Sequence, residues 1–126
     1  MAKGHKEWFR QADYDIGAAQ IMFDGGRYIY AVFMCHLSIE KALKGHFLKK
    51  HGKQPPKTHN LMYLIRESEI EFTENMKEFI AKLNRESIVT RYPDDIRRIS
   101  KNYNRKATVE IISKSKEALE WLRKNL

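Results

Sequence analysis

The chain has 126 residues, enough for one domain (1–126) whose core needs no disulfide or metal to hold it. Its 42% hydrophobic and 32% charged fractions exclude a disordered chain, and its single cysteine excludes a disulfide framework and any zinc site built from several thiolates. Lys and Arg number 24 against 16 Asp and Glu, a formal charge of +8 that suits phosphates or acidic partners as well as a solvated surface.

Glycines and prolines divide the chain into long apolar-periodic segments. From about Lys6 to Phe23, Trp8 or Phe9, Ala12, Ile16, Ala19 and Phe23 recur at helical steps and define one inward face. Asp24-Gly25-Gly26 ends this helix, because glycine accepts the left-handed geometry of a helix C-terminus. A second helix runs from about Tyr28 to His51. Its first two turns are apolar all round, which places it at the centre of a bundle; later Ile39, Ala42, Leu43 and Phe47 face inward. Gly52-Lys53-Gln54-Pro55-Pro56 is a loop, since paired prolines lack the amides a helix requires.

Thr58 is the expected cap of a short helix holding Leu61, Leu64 and Ile65. Thr73 caps the next, with Met76, Phe79, Ile80 and Leu83 inward. That helix is expected to end near Thr90, because Pro93 drives Tyr92 out of helical geometry. Asp94 to about Tyr103 reads as a short helical piece or ordered loop. The last helix covers about Lys106 to Lys124 on a stripe of Ile111 or Ile112, Ser115, Ala118 or Leu119, and Leu122. No strand pattern survives beside these periods. The expected fold is all-α: an antiparallel up-and-down four-helix bundle with one or two short extra helices.

The longest unbroken apolar run, Tyr28–Cys35, is eight residues, whereas a membrane helix needs about 20. The start, Met1–Lys6, is polar with no apolar signal core behind it, so a cytoplasmic protein with no membrane partner is expected. Cys35 falls in the apolar run and reads as buried and inert.

Charge is not spread evenly. Lys41–His59 holds six lysines and no acid; Glu67–Glu78 holds five glutamates and one lysine; Arg91–Lys106 holds four arginines and two lysines against two aspartates. Such alternation suits pairing with a second copy or with an oppositely charged partner. It equally describes solvated helix faces with local pairs worth ~0.3–0.5 kcal/mol each.

Three constellations carry possible chemistry. His36, Glu40 and Lys44 form a polar stripe on an otherwise apolar helix, and Asp15 on the first helix is placed to face it. Charges on a core-facing helix must be paired, so the stripe is either a Glu40–Lys44 pair that fixes helix register or a polar cleft holding phosphate through Lys41 or Lys44. A metal on His36 and Glu40 lacks further ligands. His59 stands at the start of a helix, where free amides and partial positive charge suit anions, and adds a proton that titrates near neutrality. Arg91-Tyr92-Pro93-Asp94-Asp95 combines a guanidinium able to grip phosphate with two hydrogen bonds, a ring able to stack on a base, and aspartates able to orient the arginine. The alternative is a structural corner in which Arg91 pairs with a carboxylate. No phosphate loop, dinucleotide fingerprint, nucleophile elbow or zinc spacing is present, so no cofactor is expected.

Trp8, Ala12 and Asp15, then Glu40-Lys41-Ala42-Leu43-Lys44, Pro55 through Thr58-His59-Asn60-Leu61, and Arg91-Tyr92-Pro93-Asp94 together resemble the HEPN (higher eukaryote and prokaryote nucleotide-binding) domain, over about Trp8 to Leu122. The resemblance implies an up-and-down helical bundle and a homodimer. Many members are metal-independent ribonucleases that use an arginine followed four to six residues later by a histidine. Here the last histidine is His59, only Arg10 and Arg27 precede it, and Arg27 stands nine positions before His36, so that motif is absent. The sequence is more similar to the non-catalytic branch, which occurs beside a separate minimal nucleotidyltransferase, sometimes as a toxin–antitoxin-like pair. The resemblance implies nucleotide or phosphate binding at Arg91, Tyr92, Lys41, Lys44 and His59, supported by Asp15, His36, Glu40 and Asp94. The competing expectations are an RNA-binding protein, a ribonuclease using His59 with Arg91 or Lys44, and a pure dimerisation or assembly module.

Overall fold

The structure, a computed structural model, describes residues 3–126; Met1 and Ala2, where the polar N-terminal run begins, lie outside the described residues. Six helices follow one another: α1 (His5–Asp24), α2 (Tyr28–His51), α3 (Leu61–Glu67), α4 (Glu74–Arg91), α5 (Ile96–Ser100) and α6 (Arg105–Lys124). Among the described residues there is no strand. The four long helices are the bundle and α3 and α5 are the short additions, as the hydrophobic periods require.

The termini are written locally. Gly26, at φ 76°, supplies a positive dihedral in the three-residue link that turns α1 back along α2. Gly52 closes α2 at φ 67° and ψ 16° and donates its amide to the Leu48 carbonyl. Thr73 Oγ1 accepts from the Met76 amide and starts α4 as expected. One cap differs from expectation: α3 is capped by Asn60, whose side chain accepts from the Met62 and Tyr63 amides, while Thr58 Oγ1 accepts from the Asn60 amide one step earlier. Thr58 stands too far ahead of the first helical amides to reach them. Helix α4 runs through Arg91, and Tyr92, ahead of Pro93, sits at φ −130° and ψ 66°, outside helical geometry.

Helix α2 is the central element and packs against each of the other five. Val32, Cys35, Ile39, Leu43 and Phe47 are buried along it, against Phe9, Ala12, Ala19 and Phe23 of α1 and Ile112, Leu119 and Leu122 of α6. The face of α1 is the expected one at Phe9, Ala12, Ala19 and Phe23; it differs at one step, where Asp15 is buried and Ile16 only partly so. Helices α1 and α2 approach closely at Gly45, where a Cβ would stand 3.0 Å from the Phe9 ring. Ser38 Oγ donates to the Ala12 carbonyl at 2.8 Å across the same interface. Burial of large apolar side chains at about 25 cal/mol per Å² is what stabilises this arrangement. Cys35 is buried, which pushes its thiol up to about 11, so it is inert at neutral pH. Among the described residues no helix is long and apolar enough to cross a membrane.

Candidate functional site

Phe33, His36, Glu40 and Lys44 are three and four residues apart on α2, and this spacing aligns them on one face. Two further elements meet that face: the loop before α3, which brings His59, and the end of α4, which brings Arg91. The loop is fixed by a pair of asparagines. Asn84 of α4 accepts from the Leu61 amide through Oδ1 at 2.8 Å and donates from Nδ2 to Asn60 Oδ1 at 3.3 Å. Asn84 carries no sequence signal of this role, because its partner is 24 residues away.

Glu40 is the hub and is only 4% exposed. Its Oε2 accepts from Lys44 Nζ at 3.1 Å and its Oε1 accepts from His59 Nδ1 at 2.9 Å. The Glu40–Lys44 pair anticipated from the stripe is therefore present. Lys44 is itself buried, with its ammonium 5.7 Å from the Trp8 ring. A buried carboxylate and ammonium are tolerable only together, since either alone would carry an uncompensated desolvation cost. Lys41 points to the α1 side, where it forms an ion pair with Asp15 Oδ2 at 2.8 Å without hydrogen-bond alignment. Both lysines of the expected phosphate cleft are thus engaged by carboxylates. The same holds further along the basic block, where Lys50 pairs with Glu69 of the acidic segment.

His36 lies beneath this layer, fully buried, and neither ring nitrogen has a hydrogen-bond partner. Glu40 Oε1 is 3.8 Å from Nδ1, too far for a hydrogen bond. Burial pushes the imidazole down to about 4; the Glu40 charge and the adjacent His59 backbone, which comes near a ring nitrogen without forming a well-aligned hydrogen bond, oppose this, and the nearby Arg91 charge reinforces it. His36 is therefore neutral at pH 7, and leaving its nitrogens unpaired costs about 1–3 kcal/mol.

Arg91 stacks its guanidinium over the Phe33 ring, 4.8 Å from the centroid. Its Nη2 is buried without a partner, and no carboxylate among the described residues lies within ion-pair distance of it. The structural-corner alternative, with Arg91 bound to an acid, is not what the fold adopts. Asp94 does not orient Arg91 either: both of its oxygens accept from Arg98 Nη2, at 3.1 and 3.2 Å, because α5 begins immediately and places Arg98 one turn on. Asp95 caps α5. Tyr92 projects into solvent at 75% exposure.

The structure thus brings together Arg91, His36, Glu40, His59 and Lys44 along one stripe, and leaves Lys41 with Asp15 to one side and Asp94 with Arg98 on another. Arg91 meets the stripe at Phe33, eleven residues before Lys44, roughly 16 Å along the axis at 1.5 Å per residue. Phe33 was missed as a site residue because an aromatic in an apolar run reads as core; its three-residue offset from His36 was the available signal. Among the described residues no group of three or more His, Cys, Asp or Glu side chains could hold a metal ion.

Comparison with known proteins places the fold. The protein TT1696 from Thermus thermophilus is similar, with a TM-score of 0.81 and 24% identity over 97% of this chain and 98% of that one. ST0689, an archaeal HEPN homologue, is similar with a TM-score of 0.77 and 21% identity over 98% of each chain. No curated protein matches the sequence. The HEPN domain family model matches residues 5–125. The chain belongs to the HEPN domain family.

Proposed function

We propose that this chain is a non-catalytic nucleotide-binding module that works beside a separate minimal nucleotidyltransferase, in the manner of a toxin–antitoxin pair. Arg91 takes the phosphate, Tyr92 offers its exposed ring to the base, and His59 adds a donor or acceptor at the rim. The observation that carries this reading is the convergence of unspent polar groups: the buried Nη2 of Arg91 and both nitrogens of His36 lack partners, while the neighbouring lysines are neutralised. Buried donors left unpaired in a native fold ask for a partner that binding would bring. Lys44 and Lys41 then hold the frame in place rather than touch the ligand.

Calorimetric titration of ATP into the protein, alone and mixed with a separately purified minimal nucleotidyltransferase, tests the reading. Binding should weaken by about 10- to 100-fold in Arg91→Ala, the loss expected for a charge-assisted hydrogen bond of ~1.5–3 kcal/mol. Absence of binding in both preparations, or an unchanged affinity in Arg91→Ala, overturns it.

One observation favours a second reading, RNA cleavage. Glu40 accepts the Nδ1 proton of the exposed His59, which leaves Nε2 as a lone-pair acceptor able to take a proton from a substrate hydroxyl. RNA incubated with purified protein and excess chelator should then be cut by the wild type and spared by His59→Ala; intact RNA in both ends this reading. Tyr14 and Ile21, 81% and 71% exposed and two turns apart on α1, support a homodimeric or assembly role for the outer face. Light scattering of the wild type and of Ile21→Lys tests that.

A further inference from the structure

The outer face of α1 carries a stripe that the bundle does not use. Arg10, Tyr14, Gly17, Ile21 and Asp24 follow one another at alternating steps of four and three residues, and all five are exposed. Such steps keep a row in line along one side of a helix, and they are the steps by which two helices pack along their length. The opposite face of α1, with Phe9, Ala12, Ala19 and Phe23, is buried in the bundle. Beside the stripe, Asp13 pairs with Arg123 of α6 and Gln20 Oε1 accepts from Lys116 of α6 at 3.0 Å. These ties hold α1 against α6 and leave the stripe itself uncovered among the described residues.

Two features of the stripe say what covers it. The first is Gly17. A glycine inside a helix destabilises it relative to alanine. Within this chain nothing asks for one: a Cβ built on Gly17 would have no neighbour within 4 Å. What the glycine does provide is a low point between Tyr14 and Ile21, where a second backbone can come close. The second feature is the symmetry of the charges about that point. Arg10 stands seven residues before Gly17 and Asp24 seven residues after it, each roughly 10 Å along the axis at 1.5 Å per residue. Arg10 Nη1 donates to Glu7 at 2.9 Å, and its remaining donors are available to a further acceptor. Asp24 Oδ1 accepts from Gln20 at 3.0 Å, and Oδ2 has no partner among the described residues.

We infer that α1 pairs with α1 of a second copy of this chain, antiparallel, with the twofold axis at Gly17. Gly17 then faces its own counterpart, Tyr14 of each copy packs on Ile21 of the other, and Arg10 of each meets Asp24 of the other at the two ends of the seam. The contact is isologous and closes on itself, so it stops at a dimer. Burying the tyrosine ring and the isoleucine side chain drives association. The two exposed ion pairs add little strength, but they fix direction and register, since a parallel pairing would set Arg10 against Arg10 and Asp24 against Asp24. Antiparallel helices also set their dipoles in opposition. This pairing rests on the assembly role given above to the outer face of α1 and is independent of Arg91.

Sedimentation velocity of the full chain over a concentration series reads the pairing, with circular dichroism to confirm that each variant is folded. The wild type should reach twice the chain mass. Arg10→Asp and Asp24→Arg each set like charges face to face at both ends of the seam, and each should weaken the dimer about 10-fold. Mixed in equal amounts, the two variants should form a heterodimer of about wild-type strength, because both ends of the mixed pair again join an acid to a base. Gly17→Leu has open space within its own chain, so it keeps the fold, but it blocks the close approach and should leave a monomer. A wild type that stays monomeric up to about 1 mM overturns this pairing and the assembly role with it. A dimer that Ile21→Lys leaves intact lies on another face and does the same. A dimer that Ile21→Lys dissociates, but that survives Gly17→Leu or is not restored by mixing the charge variants, overturns the antiparallel pairing alone.

Discussion

His36 makes the stability of this bundle depend on pH in a calculable way. The ring is fully buried, neither nitrogen forms a well-aligned hydrogen bond, and burial lowers its pKa from 6.5 to about 4 against the opposing effect of the Glu40 charge and the His59 backbone. In the unfolded chain the imidazole regains its ordinary value. As pH falls below 6.5 the unfolded state takes up a proton that the folded state refuses, so stability is lost through the window from about 6.5 to about 4 and is intact above it. At 1.36 kcal/mol per pKa unit the full loss is about 3 kcal/mol, most of it reached near pH 4.5. His36→Leu removes the titration and the two orphaned nitrogens while keeping much of the volume. At pH 7 it should be neutral or stabilising by up to about 2 kcal/mol, since an unpaired buried polar group has been replaced by an apolar one. Urea denaturation of both proteins at pH 7 and pH 4.5 measures the difference directly, and comparing the two cancels the carboxylates they share. If His36→Leu loses as much stability on acidification as the wild type, His36 is not buried unpaired and the account of the site is wrong.

Three other substitutions test the frame around it. Glu40→Gln leaves Lys44 buried without a counter-charge and should cost about 3–5 kcal/mol in chemical denaturation; a loss below about 1 kcal/mol would mean Lys44 escapes to solvent. Asn60→Ala removes the α3 cap and the tie to Asn84 and should cost about 1–2 kcal/mol, read as a lower melting temperature and faster amide exchange in α3. Gly45→Ala should destabilise by about 1–3 kcal/mol despite its better helix propensity, because the new methyl meets the Phe9 ring at 3.0 Å; a stabilised variant would show that α1 and α2 are not in close contact there.

The helices were legible because their information is local. The period of Phe9, Ala12, Ala19 and Phe23, the glycines after α1 and α2, and the threonine before α4 act within a turn or two, so the sequence determined where the four long helices run, where they stop and which one lies at the centre, and left open whether one or two short helices join them. The i,i+4 pair of Glu40 and Lys44 was legible for the same reason. Which charges cancel was not. Lys41 and Lys50 read as a free basic block until folding set them against Asp15 and Glu69, 26 and 19 residues away. Arg91, beside two aspartates in the chain, found neither, because α5 gave one to Arg98 and used the other as a cap. Electrostatic pairing depends on distance in space and on burial, and both are properties of how helices pack rather than of the order in which residues are written.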